Sequence, residues 1–375
     1  MNNDSSISKY TKTSSDLGTK VEKLPTPSLL LDIEIVRSNY ASIAKKYKNT
    51  ACKMRQHGKN LKTPKLALMQ IEAGGTVNGI CSAKVSEAEV MVSGGIKDIL
   101  ITNQIVTPDK IKRMCKLSKL ADIKVCVDNL ENVRLISEIA STLDTTIGIL
   151  IEIETNMKRA GVRTIEYAIN IVKLIDTLPN IQFRGIMSHQ ALYEYQGEKH
   201  RKDTAKNTIS KCLEFKKAIE SEGFPIEIVS SGETFTYDVS PKMPGVTEVE
   251  GGTYALMGTV YSFLKDFEVA NKLLTTIINK PDPQTIVCDI GYLSMPRAGD
   301  ELLQIENLPN VKFQDMYKYH TVFTSSSEIP INIGAKVKLI PNYQDPLIDS
   351  WDEFFIIEND ILIEILPITG RGTFH

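Results

Sequence analysis

Several things are missing from this chain, and each absence narrows the field. Lys+Arg total 44 against Asp+Glu 46, a net charge of −2, so there is no excess of either sign. That gives no electrostatic reason to expect nucleic acid or an anionic membrane as a partner. No apolar run approaches membrane-spanning length, and no signal peptide opens the sequence. Cysteines stand at Cys52, Cys81, Cys115, Cys126, Cys212 and Cys288, yet none forms a C-x-x-C pair. Cys52, Cys81, Cys126 and Cys288 sit in apolar strand-like runs, which favours small buried hydrophobes over disulfides. This pattern fits a reducing compartment, and the expected location is cytoplasmic.

The composition that remains is that of a soluble globular protein, 42% hydrophobic and 24% charged, with length for about two domains. Residues 1–23 are polar and aperiodic and read as a disordered tail. After Pro25-Thr26-Pro27 comes an apolar strand, residues 28–33, and then helical spacing from Ile35 to Tyr47. An alternation follows. Strands are expected at Ala51–Gln56, Gly79–Ala83, Asp98–Asn103, Ile123–Asp128, Thr146–Glu154, Phe183–His189, Glu227–Gly232 and Val246–Gly252. Helical patterns lie between most of them, at Thr63–Ala73, Val85–Gly94, Thr107–Leu120, Leu130–Ser141, Thr164–Leu178 and Glu198–Ser221. Only Phe235 to Lys242 is too short for more than a brief helix. Eight short Ile/Val-rich strands with intervening helices predict an α/β fold, a (β/α)8 TIM barrel over residues 24–260. Beyond Tyr261 the rhythm changes. Strands at Leu273–Ile278, Thr285–Ile290, Lys338–Ile340, Glu353–Ile357 and Ile361–Leu366, with turns at Lys280–Pro283 and Glu358–Asp360, predict a C-terminal β domain over 261–375. Residues 28–33 fall outside the eight-strand count and are assigned to that second domain.

In such barrels the chemistry collects at the carboxyl ends of the strands. Lys59 follows the first strand, in Arg55-Gln56-His57-Gly58-Lys59, before a helix that starts at Pro64. A lysine leaving a buried strand at the mouth of an α/β fold is placed to form a Schiff base. Lys59 is therefore read as the attachment point of pyridoxal 5′-phosphate (PLP), against the alternative of a solvated surface charge. Arg159 follows strand five and His189 ends strand six. Ser230-Ser231-Gly232 and Gly251-Gly252-Thr253-Tyr254 end strands seven and eight, where glycines let backbone N–H groups approach an anion. These two turns are the expected phosphate cradle, though a glycine pair taken alone is usually only a turn.

In combination, His57-Gly58-Lys59, Ser82-Ala83-Lys84-Val85-Ser86-Glu87-Ala88-Glu89, Asn156-Met157-Lys158-Arg159-Ala160-Gly161, Gly245-Val246-Thr247-Glu248-Val249 and Thr369-Gly370-Arg371-Gly372 resemble the alanine-racemase-type PLP enzymes. The resemblance is nearest to the branch of D-threonine aldolases, D-serine dehydratases and 3-hydroxyaspartate-processing enzymes, and it runs from about Pro25 to Gly372. It implies that Lys59 is the Schiff-base lysine and a proton carrier at Cα, and that His189 stacks on the pyridine ring. It implies that Arg159 contacts the cofactor or the substrate carboxylate, and that Ser231, Gly232, Gly252, Thr253 and Tyr254 hold the phosphate. The competing assignments are a core histidine for His189 and a surface arginine at a helix start for Arg159. Asn103 and Gln104 are expected to line the pocket.

One departure from that branch bears on the reaction. The family's C-terminal His-x-Asp or His-x-Cys pair binds a divalent metal that grips the substrate β-hydroxyl. Here the segment reads Pro341-Asn342-Tyr343-Gln344-Asp345-Pro346, so Asp345 is present and Tyr343 replaces the histidine. A phenol with a pKa near 10 is a poor ligand for zinc or manganese at neutral pH, which makes the metal doubtful. Tyr343 is instead a candidate acid or base, and His320 and Asp349 are the substitute ligands the sequence offers. The resemblance implies a lyase acting on D-β-hydroxy amino acids, first an aldolase of the D-threonine type giving glycine and an aldehyde. Next come a D-serine or 3-hydroxyaspartate dehydratase and a metal-free racemase or epimerase. The non-enzyme alternative is a PLP carrier, and a barrel without PLP acting on sugar phosphates comes last. A homodimer is expected.

Overall fold

The computed structural model describes residues 16–296 and 303–375. Most of the tail read from the sequence, residues 1–15, lies outside the described residues. The chain forms two units: 1–37 with 256–368, and 38–255 with 369–375.

β1 (Ser28–Asp32) leads into α1 (Ile33–Tyr47), and the division between units falls within that helix. The second unit is then built as β2 (Lys53–His57), α2 (Pro64–Ala73), β3 (Thr76–Ser82), α3 (Val85–Ser93), β4 (Asp98–Ile101), α4 (Pro108–Leu117), β5 (Asp122–Val127), α5 (Leu130–Thr142), β6 (Ile147–Glu152), α6 (Ile165–Thr177), β7 (Ile181–Ser188), α7 (Glu198–Ser221), β8 (Ile228–Ser231) and β9 (Glu248–Val249). β2 to β9 are all parallel and form a closed barrel, sealed where Lys53 and Met54 pair with Glu248 and Val249. Caps explain several helix starts. The Asn129 side chain accepts the Glu131 N–H at 2.8 Å, and the Thr164 hydroxyl accepts that of Tyr167 at 3.3 Å. Between β8 and β9 two 3-10 turns, Thr234–Thr236 and Ser240–Lys242, stand in for a helix.

Alternate residues of a barrel strand face inward, and here they sort into three layers. At the amino ends Arg55, Asp98, Lys124 and Glu248 form a charged layer. The Arg55 guanidinium is 1% exposed and donates twice to Glu248 at 2.7 Å and to Asp98 at 2.8 Å. Lys124 Nζ donates to Asp98 at 2.9 Å and to Asp122 at 2.7 Å. Above it lies an apolar layer of Cys81, Leu100, Cys126, Leu150, Met187 and Ile228, one side chain from each of six successive strands. At the carboxyl ends the inward set turns polar again. Gly185 permits the closure of β7 on β8: its φ is +152°, and a Cβ would fall 1.9 Å from the Ile228 carbonyl oxygen. The pairing of β6 with β7 slips by one residue just before it.

The other unit is a nine-stranded sheet in the order β13-β14-β11-β10-β1-β16-β17, with β15 also on β10 and β12 on β15. Its strands after β9 are β10 (Asn271–Asp282), β11 (Thr285–Cys288), β12 (Gln304–Ile305), β13 (Lys312–Met316), β14 (Thr321–Thr324), β15 (Lys336–Ile340), β16 (Glu353–Glu358) and β17 (Ile361–Pro367), with a short helix α8 (Asp345–Ile348). β1 sits between β10 and β16, antiparallel to the first and parallel to the second. β12, β13 and β14 were not anticipated, because they are short and only half-buried, and residues such as Lys312, Gln314 and Asp315 blur their alternation. The turn expected at Lys280–Pro283 starts later: β10 continues through Pro281 to Asp282 past two irregularities, which lets a proline sit in a strand. The tail is also shorter than the sequence suggests. Residues Val21–Lys23 form a 3-10 turn, and Val21 and Leu24 pack with Leu30, Leu274, Phe355 and Leu362. Among the described residues no helix is long and apolar enough to cross a membrane.

Candidate active site

Lys59 lies in a 3-10 turn, Gly58–Asn60, that begins where β2 ends. The turn is fixed from both sides. The His57 ring accepts the Lys59 backbone N–H at 3.4 Å, and the His57 N–H donates to the Gly251 carbonyl at 2.9 Å. A cavity opens beside it, lined by His57, Lys59, Ala83, Thr102, Asn103, Arg159, Met187, His189 and Glu250. Of the residues proposed from the sequence, it therefore gathers Lys59, Arg159, His189 and Asn103. His57, Ala83, Thr102 and Glu250 continue the inward-facing sets of their strands above the apolar layer, and Met187, a member of that layer, forms part of the cavity floor.

Electrostatics in the cavity favour neutral imidazoles. Burial pushes His57 well below its ordinary value, and the charges of Lys59 and Arg159 add to that. His189 is pushed down to about 3 by burial, then by Lys59 and Arg159. Both rings therefore carry no charge at neutral pH and can accept hydrogen bonds, while burial resists their protonation. Arg159 reaches the Glu152 carboxylate at 3.7 Å. Burial raises the Glu152 carboxyl, while hydrogen bonds from Gln104 and Arg159 oppose the rise. Gln104 donates to Glu152 and so belongs to the support of Arg159; it is absent from the cavity lining.

The two turns proposed as a phosphate cradle are absent from the lining of this cavity, and their glycines are closely packed by neighbouring side chains. Gly232 has φ +130°, and a Cβ there would fall 2.4 Å from Thr236 Oγ1. At Gly252 a Cβ would fall 1.6 Å from Asn60 Oδ1. The Gly252 N–H donates to the Thr234 hydroxyl at 3.2 Å, and its carbonyl accepts from Gln56 at 3.3 Å. The Ser231 hydroxyl is engaged by Ser188 at 2.8 Å and Gln190 at 3.1 Å. Thr253 opens a buried 3-10 turn. The Tyr254 ring packs edge-on to Tyr40, and its phenol lies deep in the barrel unit near Gln70. A lysine amine, an arginine supported by Glu152 and two uncharged imidazoles gathered in one cavity suit PLP.

Tyr343 and Asp345 belong to the sheet unit, where the Tyr343 hydroxyl donates to Asp345 Oδ2 at 3.1 Å. A phenol bonded to the lone carboxylate is a poor donor set for a divalent ion. Among the described residues no three His, Cys, Asp or Glu side chains converge to hold a metal. Three cavity or support residues escaped the sequence reading. His57 was hidden by its neighbour Lys59, and Glu152 and Glu250 each lie at or just past a strand's carboxyl end. That position was the available signal.

Residues 31–259 match the family described as alanine racemase, N-terminal domain, and residues 270–357 match a serine dehydratase domain. The 3-hydroxy-D-aspartate aldolase of Paracoccus denitrificans (strain Pd 1222) is 30% identical over 367 residues, covering 95% of this chain and 94% of that one. The D-threonine aldolase of an Arthrobacter species is 26% identical over 364 residues, covering 95% of each. The crystal structure of D-threonine aldolase from Filomicrobium marinum superposes with a TM-score of 0.91 at 26% identity, covering 96% of this chain and all of that one. The chain belongs to the alanine racemase N-terminal-domain family, among the PLP-dependent lyases that join that barrel to a domain of the serine dehydratase type.

Proposed function

We propose that the protein cleaves D-β-hydroxy amino acids by a retro-aldol reaction, yielding glycine and an aldehyde. The observation that carries this reading is the single barrel cavity in which the Lys59 amine, the Arg159 guanidinium and two uncharged imidazoles meet. Similarity to aldolases over nearly the full chain supports the choice of reaction.

PLP joined to Lys59 supplies an electron sink for whichever Cα bond of the substrate stands perpendicular to its ring. The protein's share of the work is positional and protonic. The turns at Gly232 and at Gly252-Thr253 would hold the phosphate, with the Thr253 N–H as a donor and the Gly252 N–H engaged by Thr234 Oγ1. Arg159, braced by Glu152, offers a fixed cation to the substrate carboxylate, and so selects which bond is perpendicular. His189 provides an uncharged face for the pyridine ring. The Lys59 amine would carry the proton to and from Cα. Removing the β-hydroxyl proton needs a base, and the acceptors this cavity offers are its two neutral imidazoles, whose burial makes them weak bases.

Product analysis after incubation with D-threonine, D-3-hydroxyaspartate and D-serine tests the reading. Glycine plus an aldehyde is the expected result. Borohydride reduction should leave a pyridoxyl mass on the Lys59 peptide, and Lys59→Ala should lose both label and turnover. A keto acid plus ammonia would favour dehydration instead, a second reading supported by the serine dehydratase match. Formation of the L-isomer would indicate racemisation. An amino-acid substrate, a homodimer and a cytoplasmic location, the last supported by six free buried cysteines, complete the proposal.

A further inference from the structure

Arg159 is the cation offered to the substrate carboxylate, yet its side chain is 51% exposed and the Glu152 carboxylate stands 3.7 Å away. A long exposed side chain makes a fixed cation only where its backbone is held, because ordering it on binding costs rotamer freedom. The loop that carries it, residues 153–163, is closed at its base. The Val162 N–H donates to the Glu152 carbonyl at 2.8 Å, and the Glu154 N–H to the Val162 carbonyl at 3.0 Å. Within it the Lys158 N–H donates to Glu154 Oε1 at 2.9 Å, and the Gly161 N–H to Asp128 Oδ2 at 2.9 Å. These bonds close the loop on itself and on the end of β5. They do not fix it against the next loop, the one after β7 that follows His189.

That joint is made by Asn156. Its Nδ2 donates to the Ala191 carbonyl at 2.8 Å, and its Oδ1 accepts the Ala191 N–H at 3.0 Å. One side chain thus satisfies both polar groups of a single backbone residue, as a neighbouring strand would. Thr155 and Tyr193 reinforce it: Thr155 Oγ1 donates to the His189 carbonyl at 3.2 Å, and the Tyr193 hydroxyl to the Asn156 carbonyl at 2.9 Å. The β7 side is anchored in turn, since Gln190 Nε2 donates to Ser188 Oγ at 2.8 Å and to Ser231 Oγ at 3.1 Å. Asparagine carries a donor and an acceptor at this spacing; aspartate lacks the donor, and glutamine is one methylene longer. We infer that Asn156 is a positioning residue for substrate recognition: it clips the Arg159 loop to the His189 loop and so holds the cation in place for the substrate carboxylate; this rests on the role proposed for Arg159 above.

The clip draws a distinction that a general loss of stability would not. It acts through the cation, so it matters to a substrate that presents a carboxylate and not to one with a neutral amide in its place. Asn156 is absent from the cavity lining, so attachment of PLP at Lys59 does not depend on it. Its effect also needs Arg159 to be present, which makes the two residues non-additive.

The test measures KM on holoenzyme for the best substrate among the D-β-hydroxy amino acids and for its neutral amide. Wild-type protein is expected to favour the acid. Asn156→Ala should raise KM for the acid roughly 10-fold and leave that of the amide within about twofold, with the pyridoxyl label on Lys59 retained. Arg159→Ala should raise the acid's KM likewise, and adding Asn156→Ala to it should change the acid no further. Equal changes for acid and amide, an unchanged acid, or additive losses in the double variant overturn the inference. If Asn156→Ala does not fold, Tyr193→Phe decides: it removes one exposed contact of the same joint and should shift the acid alone by a smaller factor, and an unshifted acid overturns the inference. Arg159→Ala that keeps the wild-type preference for the acid overturns the role proposed for Arg159 and this inference with it. Loss of that preference in Arg159→Ala but not in Asn156→Ala overturns this inference alone.

Discussion

At the scale of single residues, the site is a set of groups whose charge states are fixed by burial. The two imidazoles make this testable. His189, pushed down to about 3, and His57, also far below 6.5, stay neutral while an unfolded chain titrates near 6.5. Between those values the unfolded state binds protons that the folded state refuses. The histidine contribution to stability is thus complete above about pH 6.5 and is lost as pH falls toward 3. NMR of the imidazole Cε1–H groups should show no titration of either ring between pH 5 and 8; a shift from position 57 or 189 in that window would refute the assignment. Lys59 and Arg159 were legible beforehand, because their type and their place after a strand both point to the mouth of a barrel. Glu152 and Glu250 were not. A glutamate at a strand end looks like ordinary surface charge until the barrel closes and shows that it faces inward.

At the scale of elements, the eight barrel strands were legible because each is a short apolar run between clear helical patterns. β13 and β14 were not, since a half-buried strand in an antiparallel sheet needs only a few apolar positions, and those of Phe313 and Val322 are sparse. The glycine turns carry the sharpest element-level prediction. Gly252→Ala would drive a methyl into Asn60 and against His57 Cβ at 3.1 Å, next to the Lys59 turn. PLP affinity should fall at least ~10-fold, equivalent to ~1.4 kcal/mol. Absorbance titration with PLP measures it, and unchanged affinity would remove this turn from the cradle. The motif at Thr369–Gly372 also finds a structural use. The Gly370 N–H donates to the Lys62 carbonyl at 2.7 Å, and a Cβ at Gly370 would meet that oxygen at 2.8 Å. The C-terminal segment thereby grips the loop three residues beyond Lys59. Sequence alone marked the motif but not its target, since the contact joins residues about 300 positions apart.

At the scale of the molecule, two predictions concern what the protein needs in order to stand and to work. Arg55→Ala would leave Glu248 buried without its cation and Asp98 with Lys124 alone, and stability should drop by about 3–5 kcal/mol, read from the urea midpoint. Removing an exposed partner such as Lys173, 54% accessible, should cost no more than ~1 kcal/mol by the same measurement. Burial alone would raise the Asp98 carboxyl, but Arg55 and Lys124 hold it below 3.8, so its contribution is present above that value and fades as pH drops through the lower folded one. Because Tyr343 and Asp345 bond each other, EDTA should change turnover less than twofold; a larger loss restored by Mn²⁺ would contradict the donor chemistry. The salt cluster and the six apolar side chains above it also have a kinetic corollary. They stopper the barrel, so the vessel has one doorway. Reactant and departing fragments share that threshold, and each fragment left inside delays the next arrival. Glycine and the aldehyde should therefore slow the reaction by occupying the entrance, in competition with incoming substrate.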